Sequence, residues 1–182
     1  MSGVVWLRPA LAAQILDHAR ADAPREACGL LIGQGGTVEA IVPARNAADD
    51  ATRFFRLDER DLVRAVFDAE RRGQVLVGFY HSHPDGVAMP SQTDIAQSYY
   101  PDAVHVIAGL RSDPALAAWR LRYGEAERLT LEVTDLQPAA LNDGGNRKGV
   151  RTAVVIAAVL ALALMIALSL ALLPPAPRLP VP

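Results

Sequence analysis

Five side chains from three stretches of the chain have types and spacings that could do metal chemistry. They are Glu26, His81, His83, Ser91 and Asp94. Two neutral imidazoles and one carboxylate suit a divalent zinc ion, and three protein ligands leave a fourth position for water, which is typical of catalytic zinc sites. Water bound to zinc has a pKa of ~7, so hydroxide becomes available at neutral pH. These residue types therefore indicate a hydrolytic centre.

The two histidines follow a continuous apolar run, Val75 to Tyr80, which predicts a strand buried on both faces. Residues two apart in a strand point to the same side of the sheet, so the imidazoles of His81 and His83 can converge on one ion. A histidine pair with this spacing is also found as a plain polar strand end. Metal binding by the pair is therefore a hypothesis that needs a third ligand.

The third ligand can come from the following segment, where Ser91 and Asp94 are three residues apart at a predicted helix start. Residues three apart on a helix share a face, so the hydroxyl and the carboxylate can be presented to the same cavity. The alternative is structural, because the same spacing is that of a capping box, in which the two side chains satisfy the first backbone N–H groups of the helix. The sequence leaves both interpretations open.

A hydrolytic site also needs a group that carries protons. Glu26 lies between Pro24 and an apolar strand predicted over Ala27 to Ile32. Partial burial at this position would raise the pKa of its carboxyl group toward neutral pH, where a general base works best. A glutamate taken alone is more often a solvated carboxylate, and only its combination with the other four residues favours a catalytic role.

Together these residues resemble the signature of the JAMM (MPN-plus) metalloproteases, in which a glutamate is followed downstream by His-x-His-x7-Ser-x2-Asp. In this chain the signature consists of Glu26, His81-Ser82-His83-Pro84 and Pro90-Ser91-Gln92-Thr93-Asp94. No position of the signature is missing, and the similarity covers roughly Val4 to Val133.

The resemblance implies a role for each signature residue. The zinc ligands would be His81, His83 and Asp94, Glu26 would be the general base and acid, and Ser91 would stabilise the tetrahedral intermediate. The family cleaves peptide or isopeptide bonds, often at the C-terminal tail of ubiquitin or a ubiquitin-like protein. Because this chain has only 182 residues, it is most similar to the compact prokaryotic members, which process ubiquitin-like or sulfur-carrier proteins.

The hydrophobic pattern predicts helices and strands interleaved along the chain, which indicates a mixed α/β (α+β) fold. The predicted strands are Val4 to Leu7, Ala27 to Ile32, Thr37 to Val42, Val75 to Tyr80, Ala103 to Leu110, Leu116 to Tyr123 and Leu129 to Val133, and the predicted helices begin at Pro9, Asp58 and Ser91. The last two strands alternate apolar with polar residues and predict a hairpin with one solvent-exposed face. The resemblance adds that the strands form one central mixed sheet flanked by helices.

Charge and cysteine content exclude several classes of protein. The chain carries 18 basic and 20 acidic side chains, a net charge of −2, whereas a protein that binds a nucleic-acid backbone normally has a basic excess. The single cysteine, Cys28, rules out an internal disulfide and the paired-cysteine zinc motif of a nucleoside deaminase. Cys28 is interpreted as a small buried hydrophobic residue, with a redox or inhibitory role as the alternative.

The C-terminal part of the chain predicts a membrane anchor. The 22 residues from Thr152 to Leu173 contain no charge, glycine or proline. As a helix they would reach ~33 Å, enough to cross the ~30 Å hydrocarbon layer of a bilayer, whereas a buried core helix is the alternative. Arg147, Lys148 and Arg151 precede this segment, so the positive-inside rule places the N-terminal domain in the cytoplasm.

The predicted domain organisation has four parts. They are a metalloprotease domain over 1–134, a polar linker over 135–151, a single membrane helix over 152–173 and a proline-rich tail over 174–182. The linker contains Gly144-Gly145, and as a flexible coil it would span roughly 22 Å, so the domain would stay close to the bilayer.

Two hypotheses of different classes follow. The first is a zinc-dependent metallopeptidase or isopeptidase, anchored by its C-terminus, that acts on the tail of a ubiquitin-like or sulfur-carrier protein. The second is a membrane-tethered binding or scaffold module of the same fold that grips such a tail without cleaving it. Modules of that kind typically lose metal ligands, and this sequence keeps all three. The sequence therefore favours the enzyme.

Overall fold

The computed structural model describes residues 3–135, and within that range it contains seven strands and three helices. In chain order they are β1 (Val4–Leu7), α1 (Pro9–Asp22), β2 (Cys28–Gln34), β3 (Thr37–Ala44), α2 (Glu59–Arg71), β4 (Val75–His83), α3 (Gln92–Ala96), β5 (Val104–Gly109), β6 (Leu116–Arg122) and β7 (Glu125–Val133). Each strand and helix predicted within this range is present. The largest difference in bounds is in β7, which begins at Glu125 instead of Leu129.

The seven strands form one mixed sheet that closes on itself in the order β1-β3-β2-β4-β5-β6-β7. Three pairings are parallel, namely β1 with β3, β1 with β7 and β4 with β5, and the others are antiparallel. The expected mixed sheet is therefore confirmed. Its closure is not predicted by the sequence, because it depends on the short strand β1, which pairs with β7 along its whole length and with β3 at Trp6 and Leu7.

Two helices cover opposite faces of the sheet around β4, the strand that carries the histidines. Ile15 of α1 lies in one buried cluster with Tyr80, and Ala69 of α2 lies in another with Phe79. Because Phe79 and Tyr80 are consecutive, they face opposite sides of the sheet. The centre of β4 is thus buried on both faces, as its continuous apolar sequence predicts.

α2 begins at the predicted position. Asp58 is its N-cap, and the Asp58 carboxylate accepts hydrogen bonds from the backbone N–H groups of Arg60 at 2.9 Å and Asp61 at 3.3 Å. Arg45 forms an ion pair with the same carboxylate, and this contact holds the pKa of Asp58 below its usual range. A negative charge here stabilises the first turn, because it satisfies free N–H groups and lies at the positive end of the helix dipole.

The final hairpin confirms one expectation and corrects another. β6 and β7 are antiparallel neighbours joined around Gly124, whose φ of 83° lies in the left-handed region that glycine adopts easily. The expected solvent-exposed face is wrong for β6, which is buried along all but its last residue. Ala118 packs in the cluster under α1 and Trp119 in a cluster on the other face. Arg120, one of the polar residues of the alternating pattern, is buried with its Nη1 3.0 Å from Glu127 Oε2.

No helix within residues 3–135 is long and apolar enough to cross a membrane. The predicted membrane helix over 152–173, the tail over 174–182 and the linker beyond residue 135 lie outside the described residues. These segments, and the domain boundary drawn at residue 134, stay predictions from the sequence.

Candidate metal centre

The structure brings together the three predicted ligands, His81, His83 and Asp94. Their ligand atoms all lie within 4.8 Å of one another. Asp94 Oδ2 is 3.4 Å from Nε2 of His81 and 3.4 Å from Nε2 of His83, and the two Nε2 atoms are 3.2 Å apart. The His81 side chain is 0% exposed, that of His83 14% and that of Asp94 8%. Two imidazole nitrogens and one carboxylate oxygen therefore converge on one point.

The end of β4 places both imidazoles on one face of the sheet, while Ser82 between them points to the other face. Ser82 is fully buried, and its Oγ accepts a hydrogen bond from the backbone N–H of Ala27 at 2.8 Å. The backbone N–H of Ser82 donates in turn to the carbonyl oxygen of Ala27 at 2.9 Å. Because Ala27 directly follows Glu26, these two bonds fix the Glu26 segment beside the histidine pair.

The two histidines are oriented by different contacts. His83 Nδ1 lies 3.0 Å from the carbonyl oxygen of Val87, and an N–H donated there leaves Nε2 as the lone-pair atom that faces Asp94. His81 Nδ1 has no hydrogen-bond partner among the described residues. Instead, the ring of Phe55 stacks on the His81 imidazole, with ring centroids 4.1 Å apart and planes 15° apart.

The pKa values of His81 and Asp94 suit metal binding, whereas contacts with Asp94 and the Val87 carbonyl outweigh burial and raise the pKa of His83, so a metal at His83 competes with a proton. Burial lowers the pKa of His81, which keeps this imidazole neutral and able to coordinate a metal. Burial also opposes ionisation of Asp94, but its contacts with the His81 and His83 imidazoles and with the backbone N–H of Ser91 outweigh burial and hold the pKa of Asp94 well below its usual range. Asp94 is therefore an anion at neutral pH. A neutral imidazole and an ionised carboxylate are the forms that coordinate metals.

Glu26 lies just before β2 and is only 7% exposed. Its backbone N–H donates to the carbonyl oxygen of Ala51 at 2.7 Å, and its own carbonyl oxygen accepts from Asn46 Nδ2 at 2.9 Å. Burial raises the pKa of the Glu26 carboxyl group to about 7, while the charge of His83 lowers that pKa and the charge of Asp94 raises it. Glu26 therefore lies within electrostatic reach of the ligands and titrates near neutral pH, as a general base should.

Ser91 and Asp94 form the capping box that was the structural alternative for this pair. The backbone N–H of Ser91 donates to Asp94 Oδ2 at 2.7 Å, and the backbone N–H of Asp94 donates to Ser91 Oγ at 3.1 Å. Asp94 can cap the helix and bind a metal at the same time, because the same Oδ2 also faces both histidines. Ser91 is exposed, and a hydroxyl that accepts one hydrogen bond still has its own proton to donate.

The segment over 84–90, which connects the two halves of the motif, is fixed by bonds to neighbouring strands and turns. Trp119 Nε1 donates to the carbonyl oxygen of Ala88 at 3.0 Å, and the backbone N–H of Ala88 donates to Ser112 Oγ at 3.1 Å. Gly109 permits this close approach, because a Cβ atom at that position would lie 2.2 Å from the nitrogen of Ala88. The motif spacing is therefore spanned by an anchored segment.

Sequence reasoning missed two residues that contact the site, Phe55 and Asn46. Both lie between β3 and α2, in a segment for which the sequence predicts no strand or helix. A single aromatic residue and a single asparagine in such a segment are too common to indicate a site. Only the folded arrangement shows that Phe55 stacks on His81, a predicted metal ligand, and that Asn46 contacts the Glu26 backbone.

Cys28 and the other two histidines of the chain, His18 and His105, lie outside the metal group. Cys28 is fully buried opposite His81 in the β2–β4 pairing, and burial raises its thiol pKa to about 12, so the thiol is unreactive at neutral pH. His18 Nδ1 lies 2.9 Å from the hydroxyl oxygen of Tyr80, and His105 is buried in β5. The burial of Cys28 agrees with the role predicted for it, and His18 and His105 also have packing positions.

Comparison with known families supports the resemblance seen in the sequence. The family described as prokaryotic homologs of the JAB domain matches residues 8–122, which is more than half of the chain. The chain therefore belongs to this family.

Individual relatives agree with that assignment. Desampylase from Haloferax volcanii is 38% identical over 99 residues, which are 51% of this chain and 71% of the relative. The CysO-cysteine peptidase of Mycobacterium tuberculosis is 38% identical over 113 residues, which are 61% of this chain and 76% of the relative. A protein from Desulfitobacterium hafniense of known solution structure is similar with a TM-score of 0.65 and 28% identity, over 72% of this chain and 94% of the other.

Proposed function

We propose that this protein is a zinc-dependent metallopeptidase that hydrolyses a peptide or isopeptide bond at the C-terminal tail of a ubiquitin-like or sulfur-carrier protein. The observation that carries the proposal is the meeting of His81, His83 and Asp94, within 4.8 Å of one another, beside a buried Glu26 whose pKa is about 7. Membership of the JAB family and the names of two relatives support the same activity.

The donor set fits zinc better than a harder cation. Magnesium and calcium prefer sites built from oxygen ligands, whereas two imidazole nitrogens and one carboxylate oxygen suit zinc. Three protein ligands are also the number typical of a catalytic zinc site. His81, His83 and Asp94 would hold the ion. A zinc ion bound there would act as a Lewis acid, which polarises the substrate carbonyl and lowers the pKa of water.

Glu26 supplies the proton transfers in this proposal. When ionised, its carboxylate accepts a proton from the attacking water, and when protonated the same carboxyl group donates that proton to the leaving amine. A pKa of about 7 suits both steps, because both forms of the carboxyl group are then accessible at neutral pH.

Ser91 supplies a hydrogen-bond donor. Its Oγ accepts from the backbone of Asp94, so its own O–H proton can be donated to a substrate oxygen. A donor there stabilises the negative charge that develops on the substrate carbonyl oxygen during attack. Because the capping box ties Ser91 to Asp94, this donor is held at a fixed position relative to a metal ligand.

The proposed substrate class rests on the resemblance to the JAMM family, whose members often cleave at the C-terminal tail of a ubiquitin-like protein, and the relatives agree with it. Their names, desampylase and CysO-cysteine peptidase, describe hydrolytic enzymes. We therefore propose that the substrate is a small protein whose extended C-terminal tail places its scissile carbonyl between the metal ligands and Glu26.

Incubation of the full-length protein with a panel of ubiquitin-like fusions and short peptides, followed by mass spectrometry, tests this proposal. We expect cleavage at the tail of at least one fusion, loss of cleavage with a chelator, and recovery when zinc is returned. Asp85→Ala is the matched control, because Asp85 is exposed and pairs with Arg111 rather than with the ligands. Binding of a fusion without cleavage by zinc-loaded protein would contradict the proposal and indicate the binding or scaffold module.

We further propose that residues 152–173 anchor the domain to a membrane, with residues 1–151 on the cytoplasmic side. This proposal rests on the apolar composition of the segment and on the basic residues that precede it. Fractionation of cells that express the full chain, compared with a chain lacking residues 152–182, tests it. We expect the full chain in the membrane fraction and the shortened chain outside it, and an equal distribution of the two would contradict the anchor.

A further inference from the structure

The His81 imidazole differs from the His83 imidazole in what fixes its orientation. A histidine that binds a metal through one ring nitrogen usually has its other ring nitrogen bonded to a carbonyl or carboxylate group. His83 has such a contact, because its Nδ1 lies 3.0 Å from the carbonyl oxygen of Val87. His81 Nδ1 is buried with no hydrogen-bond partner among the described residues. On the Nδ1 side, the His81 ring therefore lacks the hydrogen bond that holds His83, and another contact must take its place.

The ring of Phe55 contacts the face of the His81 imidazole. It lies nearly parallel to the His81 imidazole, with centroids 4.1 Å apart and an angle of 15° between the planes. Phe55 is half-buried, while its neighbour Phe54 is 37% exposed and stacks under the guanidinium group of Arg53. Of these two adjacent aromatic residues, Phe55 is the one that covers the metal-binding histidine.

Asn46 fixes the backbone on both sides of Phe55 with one side-chain amide. Its Nδ2 donates to the carbonyl oxygen of Phe54 at 2.9 Å, and its Oδ1 accepts from the backbone N–H of Arg56 at 3.1 Å. Oδ1 also accepts from the backbone N–H of Ala48 at 3.0 Å. Asn46 is 7% exposed, so these bonds lie in a region shielded from water, where breaking them is costly.

The same amide reaches the catalytic glutamate. Asn46 Nδ2 donates to the carbonyl oxygen of Glu26 at 2.9 Å, and the backbone N–H of Glu26 donates to Ala51 in the same connecting segment at 2.7 Å. The segment between β3 and α2 therefore contacts both the backbone of Glu26 and, through Phe55, the ring of His81. Asn46 joins these two contacts.

We propose that Phe55 is a positioning residue that holds the His81 imidazole in its metal-binding orientation. Asn46 in turn positions both Phe55 and the backbone of Glu26. This inference rests on the proposed function, because it assigns His81 to a metal. Stacking restricts rotation of the imidazole about its side-chain bonds, so less conformational freedom is lost when Nε2 binds the ion. Removal of the aromatic face should therefore weaken metal binding although no ligand has been changed.

Zinc affinity of the full-length protein, measured by competition with a chromophoric chelator, tests the inference. Phe55→Leu keeps an apolar side chain but removes the flat ring, and we expect its zinc affinity to fall by roughly 10-fold or more, the range found when supports of metal ligands are removed. Phe54→Leu is the matched control and should bind zinc as the wild type does. Phe55→Tyr restores the ring and should restore the affinity.

A second readout separates a lost orientation from a general loss of structure. The visible absorption spectrum of the cobalt(II)-substituted protein reports the ligand geometry, and we expect Phe55→Leu to change its band positions while Phe55→Tyr retains them. Asn46→Ala should weaken zinc binding and also lower the rate of the zinc-saturated enzyme, because it loosens Glu26 as well. Circular dichroism on each variant verifies that the fold is kept, and Phe55→Met replaces Phe55→Leu if the leucine variant does not fold.

The outcomes distinguish this inference from the proposed function. If the wild-type protein binds no zinc, the proposed function itself is wrong. If the wild type binds zinc and folded Phe55→Leu binds it within about twofold with an unchanged cobalt spectrum, the inference is overturned and the proposed function stands. A selective loss in Phe55→Leu, with Phe54→Leu unaffected and Phe55→Tyr restored, supports the inference.

Discussion

Asp94 Oδ2 accepts a hydrogen bond from the backbone N–H of Ser91 at 2.7 Å and at the same time lies 3.4 Å from Nε2 of both His81 and His83. One carboxylate oxygen thus caps the start of α3 and also belongs to the metal group. The helix start and the site are consequently built as one unit, and a change at Asp94 should affect both.

Asp94→Ala should abolish high-affinity zinc binding. It removes the only carboxylate of the group, so we expect the loss to exceed the ~100-fold that removal of an outer contact can cause. It should also destabilise the domain by ~0.5–1.5 kcal/mol, because the backbone N–H of Ser91 loses its carboxylate acceptor. Calorimetric zinc titration and urea unfolding measure the two effects. Asp85→Ala is the control, and zinc binding by Asp94→Ala equal to that control would show that Asp94 is not a ligand.

Glu26→Gln should leave zinc bound but stop turnover. The amide has the shape of the carboxyl group but cannot accept the proton of the attacking water, and a positioned general base typically contributes ~10^2–10^4-fold in rate. Metal analysis and steady-state cleavage of a fusion substrate measure the two properties on the same sample. Wild-type turnover by Glu26→Gln would remove Glu26 from the mechanism.

Glu26 should make the metal-free domain less stable at alkaline pH. Its folded-state pKa of about 7 lies above the ordinary 4.5 because of burial, so the folded state binds the proton more tightly than the unfolded state does. The stability gained in this way is fully present below about pH 4.5 and is lost as the pH rises through about 7. We therefore compare the stability of each protein at pH 8.5 with its own stability near pH 4.5. The wild type should lose more stability over this range than Glu26→Gln does.

The size of this effect can be measured by urea unfolding with a chelator at both pH values. Since one pKa unit corresponds to about 1.4 kcal/mol, we expect the difference between Glu26→Gln and wild type to grow by on the order of 1–3 kcal/mol from acid to alkaline pH. A difference that does not change with pH would mean that the Glu26 carboxyl group has an ordinary pKa.

Ser82→Ala should destabilise the fold. The Ser82 hydroxyl is buried and accepts the backbone N–H of Ala27, so its removal leaves a buried donor without that acceptor, at a cost of ~1–3 kcal/mol. Denaturant unfolding of zinc-free protein measures the change. Because Ser82 joins the segment after Glu26 to the histidine strand, the variant should also lose turnover, and unchanged stability and rate together would contradict this role.

The sequence predicts the parts of the site that depend on local spacing. The apolar run before His81 predicts a strand, and the two-residue period of a strand places His81 and His83 on one side. The Ser91–Asp94 spacing predicts a helix start. The structure has all three features. The burial of Glu26 also follows from its place before an apolar strand. Local periodicity carries this information because neighbouring residues in one strand or helix have fixed relative directions.

Features that depend on distant parts of the chain could not be predicted in this way. The closure of the sheet needs β1 to pair with β7, whose residues are far away in sequence. The stacking of Phe55 on His81 joins an irregular segment to a strand end, and no period links the two positions. The polar residues of β6 predicted a solvent-exposed face. That face is buried, because Arg120 pairs with Glu127 on the neighbouring strand.

The metal content of carefully purified full-length protein tests the central claim most directly. Elemental analysis after incubation with excess zinc and removal of unbound metal should find one zinc per wild-type chain and close to none in His83→Ala. A wild-type protein that retains no zinc under these conditions would contradict the account, because the assignments of His81, His83, Asp94 and Glu26 all depend on that ion.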